Sequence, residues 1–276
     1  MAELVGIYAA SHGPLIARDW DALPDALKER LAAAYGELGR RITAAQVDVI
    51  IGLAPDHWTN FFLDNLPALC IGIGEAHEGP PEPFMRGFSP NPVPGDPALG
   101  HHILETALTA DFEPALSYHL RLDHGLCLPL ARMALPRMPR IVPILINGLE
   151  PPMLSYRRCF AWGRLLRRAV ADYPRATRVA ILATGGLSHS IGEPSMGAID
   201  EDFDRRCLAA FERRDEVPLI KILEHSATTA GNGAHEIRNW AVAHGAAGGR
   251  GFVLLDYLPA PEVYVGCAFA VWRLDA

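Results

Sequence analysis

Apolar residues fall into short, nearly continuous runs separated by segments with helical spacing. LVGIYAA (4–10), VDVIIGLAP (47–55), ALCIGIG (68–74), ALSYHL (115–120), RIVPILIN (140–147), RVAILATG (178–185) and GFVLLDYL (251–258) predict strands. Their apolar positions do not alternate with polar ones, which predicts burial on both faces of a helix-covered sheet. Between them, Asp21 to Ala45 carries Leu23, Leu27, Leu31 and Leu38 near helical spacing. Asp96 to Ala110, Ser155 to Tyr173, Asp200 to Arg213 and Ala234 to Ala246 predict helices in the same way. Strand and helix alternate, so the expected architecture is α/β: a single domain over residues 1–276 with a mostly parallel or mixed central sheet. An antiparallel edge strand is expected near 264–274. Glu78 to Pro97 holds seven prolines and predicts a long loop, expected to form a wall of the pocket.

Composition narrows the partners. Twenty-five Lys and Arg against 32 Asp and Glu give a formal charge of −7 over 276 residues. No basic run stands out, so neither nucleic acid nor an anionic membrane surface is expected as a partner. No apolar stretch approaches the roughly 20 residues that span a bilayer, and the start lacks the basic region of a signal peptide. The five cysteines are scattered and form no CxxC, which argues against a disulfide framework or a cysteine-rich zinc site. A cytoplasmic enzyme is the expectation.

Candidate chemistry concentrates after the predicted strands, where open α/β sheets bind ligands. Ser11-His12-Gly13-Pro14 follows the first, Ala54-Pro55-Asp56-His57 the second, Leu122-Asp123-His124-Gly125 follows ALSYHL, and Gly185-Gly186-Leu187-Ser188-His189 follows RVAILATG. A lone histidine in such a place is more often structural than functional. Four at equivalent positions predict convergence on one pocket. Converging imidazoles suit a transition metal, and two histidines with one carboxylate leave three positions open on an octahedral ion. Spacing alone leaves that carboxylate open among Glu75, Glu150, Glu193, Glu224 and Glu236. His235-Glu236 does not begin a zinc-protease HExxH helix, because position 239 is Asn.

Taken in order, SHGP, APDHWTNFF, LDHG, GGLSH and GAHEIRNW resemble the class III, protocatechuate 4,5-dioxygenase-like extradiol dioxygenases over nearly the whole chain. APDHWTNFFLDNLPALCIGIG, PILING and HEIRNW are most similar to the 2,3-dihydroxyphenylpropionate 1,2-dioxygenase branch, although Glu193 to Val217 is shorter than in that branch. The resemblance implies an Fe(II) cofactor held by His12, His57 and Glu236. It implies His124 and His189 as the acid–base pair, with His189 taken as the base. It also implies a catecholic substrate with O2 as co-substrate, ring opening beside the hydroxyls, and a homo-oligomer. Two alternatives accompany it: a Zn(II) hydrolase using the same three ligands, and a non-catalytic relative acting as an interaction protein.

Overall fold

The computed structural model describes residues 1–213, 216–225 and 230–274. Its strands are β1 (Glu3–Ala10), β2 (Val49–Ala54), β3 (Leu69–Gly72), β4 (Ala76–His77), β5 (Val93–Pro94), β6 (Ala115–Ser117), β7 (Arg140–Ile146), β8 (Arg178–Thr184), β9 (Phe252–Ala260) and β10 (Val265–Trp272). The helices are α1 (Leu15–Arg18), α2 (Asp25–Ala44), α3 (Pro97–Leu108), α4 (His124–Arg132), α5 (Tyr156–Asp172), α6 (Glu201–Glu212), α7 (Glu216–Leu223) and α8 (Ile237–Ala246). β4 and β5 pair only with each other; the remaining strands form one sheet in the order β6-β3-β7-β2-β8-β1-β10-β9.

The sheet is mixed around a parallel centre. β7, β2, β8 and β1 run parallel, whereas β3 opposes β7 and β10 opposes β1. Residues 264–274 do form an antiparallel strand, but not at the edge. All eight residues of β10 are buried, so both of its sides need a neighbour; β9, half-buried along its middle, takes the edge instead.

Continuous apolar strands follow from cover on both faces. Ile7, Ala9, Val49, Ile51 and Leu53 pack toward α3, α5, α6 and α8. Their sequence neighbours Tyr8, Ala10, Ile50 and Ala54 pack toward α2 and α4. Three predicted helix starts coincide with side-chain caps: Asp96 accepts from Leu99 N–H, Ser155 from Arg158 N–H and Asp200 from Phe203 N–H. Each such cap contributes about 1 kcal/mol. Three helices were not predicted, among them the four-residue α1. α4 contains Pro129, and α7 is short with a proline in its first turn; proline breaks the pattern from which helices are read. All five cysteines are free and buried.

α8 matters most to the site, because it begins one residue after Glu236. It crosses α5 at very close range: a Cβ on Gly163 would collide with the Val242 carbonyl, and one on Gly245 with that of Phe160. Gly163→Ala is therefore expected to destabilise the fold by about 1–3 kcal/mol. Urea unfolding should show a lower midpoint with an unchanged slope.

Candidate active site

Three neighbouring parallel strands, β2, β8 and β1, end on the same side at Ala54, Thr184 and Ala10. The residues that follow them supply His57, His189 and His12. Backbone at His12 is held from both sides: Tyr35 donates to the Ser11 carbonyl at 2.7 Å, and Ser11 Oγ accepts from Ala268 N–H at 2.9 Å. The loop carrying His57 is organised by the Asp56 carboxylate, which accepts from the backbone N–H groups of Asn60 and Phe61.

His124 arrives by a different route from the one predicted. β6 runs against the central strands and ends at Ser117, so its carboxyl end points away from the site. The following residues return, and Asn60 ties them down by donating to the Arg121 carbonyl and accepting from Arg121 N–H. His124 then opens α4, capped by Asp123 Oδ1 accepting from Gly125 N–H at 2.8 Å. The proline-rich segment 78–97 is not among the cavity-lining residues. It stands behind His124 instead, where Glu82 accepts from the His124 backbone N–H at 3.1 Å and from Nδ1 at 2.7 Å.

All five predicted residues come together: His12, His57, His124, His189 and Glu236 line one cavity of about 470 Å³. Glu236 is 2% exposed and ends a 3₁₀ turn, Asn232–Glu236, rather than lying in the first turn of the α-helix. Its side chain caps nothing in α8 and is free to face the histidines. Oε1 lies 3.3 Å from Nε2 of His12 and 3.3 Å from Nε2 of His57. Oε2 accepts from Gly186 N–H at 2.9 Å and stands 3.8 Å from His189 Nε2. Gly185 makes this approach possible: its φ of +131° suits glycine, and a Cβ there would sit 2.8 Å from Glu236 Cβ.

His12, His57 and His124 each offer a ring nitrogen within 4.8 Å of the others, a spacing suited to a metal ion. Glu82, Asp123 and His124 form a second such group, but both carboxylates there already accept from histidines. Asp123 Oδ2 accepts from the backbone N–H of His57 at 2.8 Å and from its Nδ1 at 3.1 Å. That bond fixes the imidazole with Nε2 toward Glu236, as carboxylates do for metal-binding histidines. Of the buried side-chain atoms without a partner among the described residues, three belong to this cluster: His12 Nδ1, His124 Nε2 and Glu82 Oε2.

Charge is divided unevenly among His57, His124 and His189. Burial alone would lower the His57 pKa, but the carboxylates of Asp123 and Glu236 push it up to about 10. Burial would likewise raise Glu236, yet the surrounding histidines hold it well below the ordinary range. His124 is lowered by burial and by the His57 charge, against Glu82 and Asp123. His189 is lowered chiefly by burial, and its Nδ1–H donates to the Leu187 carbonyl at 3.0 Å. Without a metal, the site at neutral pH holds one imidazolium and two neutral rings at these positions.

Sequence reasoning passed over Glu82 and the reach of Asp123 to His57. Glu82 carries no signal beyond its place in an unusually long loop. Asp123 caps α4, a helix that was not predicted, and its second partner lies 66 residues away. Histidines without a predicted catalytic role have structural partners: among them, His77 contacts the Leu120 carbonyl through Nδ1, His102 contacts the Ala169 carbonyl through Nε2, and His244 accepts from Trp272 Nε1.

Comparison with known proteins gives a consistent picture. The family described as the catalytic LigB subunit of aromatic ring-opening dioxygenase matches residues 6–263. A Burkholderia vietnamiensis protein named 2,3-dihydroxyphenylpropionate/2,3-dihydroxicinnamic acid 1,2-dioxygenase is 31% identical, over 86% of this chain and 87% of its own. The Paraburkholderia phymatum protein of the same name is 30% identical over 93% of both. In fold, the chain is similar to the crystal structure of the uncharacterized Escherichia coli K12 protein JW3007. That match has a TM-score of 0.65 at 17% identity and covers 98% of this chain and 100% of the other.

The turn bearing His189 is anchored by a buried acid. Asp204, fully buried, accepts from Ser188 N–H, Ser188 Oγ and Tyr257 OH, each at 2.8 Å. Burial outweighs these bonds and pushes its pKa up to about 6, above the ordinary value of 3.8. Between those values the folded protein binds more protons than the unfolded chain, so stability falls as pH rises through this window. The stability of the natural protein relative to Asp204→Asn should therefore drop by up to about 3 kcal/mol between pH 4 and pH 7. Urea unfolding of both proteins at the two pH values checks this.

Proposed function

The chain belongs to the family of catalytic LigB subunits of aromatic ring-opening dioxygenases, and from that premise we propose that it is an Fe(II)-dependent extradiol dioxygenase. It inserts both atoms of O2 into a substituted catechol and opens the ring beside the hydroxyls. The observation that carries the reading is the position of Glu236 Oε1, 3.3 Å from Nε2 of two histidines. His12, His57 and Glu236 are the residues that would hold the metal. Their two imidazoles and single carboxylate match the donor set of oxygen-activating Fe(II) and leave room for substrate. When bound, the iron supplies the electronic link between a chelated catechol and O2.

The remaining residues move protons. A catechol chelates only after losing hydroxyl protons, so a base must stand beside it. His189 fits: the Leu187 carbonyl holds the proton on Nδ1, leaving the Nε2 lone pair on the Glu236 side. Burial keeps this ring neutral and able to accept. His124 differs in having a carboxylate behind it. Glu82 accepts from its Nδ1 and stabilises the ring when Nε2 takes a proton, which suits a general acid.

Protein loaded anaerobically with Fe(II) and mixed with a panel of catechols should consume O2 on admission of air and turn yellow. The Zn(II)-loaded protein should consume none. Stoichiometric iron binding with no oxygen uptake across catechols of different substituents would count against ring opening. The variants separate the roles: Glu236→Ala should lose iron affinity, whereas His189→Ala should retain iron and lose about 100-fold or more in turnover. An iron-free His189→Ala would overturn the assignment.

A metal ligand must be unprotonated, and His57 without metal holds its proton up to about pH 10. Loading with a divalent ion at pH 7.5 should therefore release about one proton from this ring. Affinity should also rise by about tenfold per pH unit below that value. Titration calorimetry in buffers of different ionisation enthalpy measures the proton count.

A further inference from the structure

The five site residues occupy one part of the cavity, and the walls beyond them are largely apolar, with Leu149, Val263 and Val265 among them. Trp58, Ile191, Met196 and Tyr264 also line it, yet 40%, 50%, 51% and 41% of their surfaces are exposed. Single exposed apolar side chains need no explanation, but four meeting at one cavity mark a surface that a ligand covers.

Backbone geometry points the same way. Trp58 and Tyr264 have φ of 55° and 61°. Bulky side chains rarely adopt this left-handed region, and residues held there concentrate where ligands are gripped. A hydrogen bond from each aromatic's own N–H, to the Asp56 and Pro261 carbonyls at 2.7 and 3.2 Å, keeps it in place.

Charge completes the argument. Among the described lining residues, Arg18 is the one Lys or Arg. Its Nε and Nη2 donate to Asp19 Oδ1 and Oδ2 at 2.8 and 2.7 Å, so its fork is already matched by a carboxylate. A carboxylate on the substrate would lose hydration among the apolar walls and would have to compete with Asp19 for this guanidinium.

We propose that this cavity takes a catechol whose ring substituent is uncharged and apolar, an alkyl or aryl group, and not a side chain ending in a carboxylate. The inference rests on the ring-opening reading for its catechol, and on Trp58, Ile191, Met196, Tyr264 and the Arg18–Asp19 pair for its substituent. It separates this chain from the relatives named for arylpropionate substrates. Each buried methylene of such a substituent strengthens binding by about fourfold.

The test uses two catechols of equal length, 3-propylcatechol and 3-(2,3-dihydroxyphenyl)propionate. Anaerobic binding to the Fe(II)-loaded enzyme and kcat/KM from oxygen uptake are measured for both. The propyl compound should bind at least tenfold more tightly and show at least tenfold higher kcat/KM. Met196→Lys, which sets a cation among the exposed apolar residues, should shift both ratios at least tenfold toward the propionate. Equal or inverted ratios in the natural protein overturn the proposal and leave ring opening standing. So does a tenfold loss in Arg18→Met confined to the propionate. Binding of both without oxygen uptake defeats the ring-opening reading, while the affinity ratio still decides the substituent. Failure of both catechols to bind overturns both.

Discussion

Burying a carboxylate costs several kcal/mol unless opposite charge and hydrogen-bond donors replace the water it loses. Glu236, 2% exposed, meets that demand with the Gly186 N–H, His12 and a positively charged His57. Asp123, itself buried, stabilises the His57 charge from the other side. The result is a chain of alternating charge running from Asp123 through His57 to Glu236. On the proposed reading, a divalent ion held by His12, His57 and Glu236 would supply the positive charge that the imidazolium supplies here.

This chain of charges constrains the scaffold. Glu236 must reach strand ends contributed by distant parts of the sequence, so the helix behind it has to sit deep. The glycine contacts at the α5–α8 crossing allow that depth, and Gly185 lets the turn after β8 close over the carboxylate. Three histidines follow adjacent parallel strands, whose common direction places their carboxyl ends on one side. Rigid strands on one side and a closely packed helix on the other hold the donors at fixed separations, as chemistry at a metal requires.

Features set by local periodicity or by the sheet centre were legible in the sequence. Continuous apolar runs announced the central strands of the large sheet because both of its faces are covered there, and Asp96, Ser155 and Asp200 announced their helices by capping them. His12, His57 and His189 were readable because each follows a strand of the parallel core. His124 was selected for the wrong reason: the strand before it runs the opposite way, and only a return loop pinned by Asn60 brings it back. Direction within a sheet depends on pairing partners, which periodicity does not contain. β10 shows the same limit, since a strand's place in the order is decided by what covers it. Choosing Glu236 among five candidate carboxylates needed the family resemblance, because its partners are separated from it by up to 224 residues. Glu82 and Asp204 were missed for a related reason: each acts on a histidine-bearing turn through long-range bonds, and neither sits in a motif.

The two parts of the cavity obey different constraints, and this bears on how such a site can vary. Around Glu236 every donor is fixed by strand ends, a helix crossing or a buried hydrogen bond, and a change in one disturbs the charge balance of the others. At the exposed side, Trp58, Ile191, Met196 and Tyr264 belong to loops or a short turn and touch solvent. Substituting them alters which surface a substrate meets without touching the alternating charges behind. Arg18, the one Lys or Arg among the described lining residues, is paired with its neighbour Asp19 at that exposed side. Ring chemistry is therefore held by the core of the fold, whereas substituent preference is left to side chains that the core does not restrain.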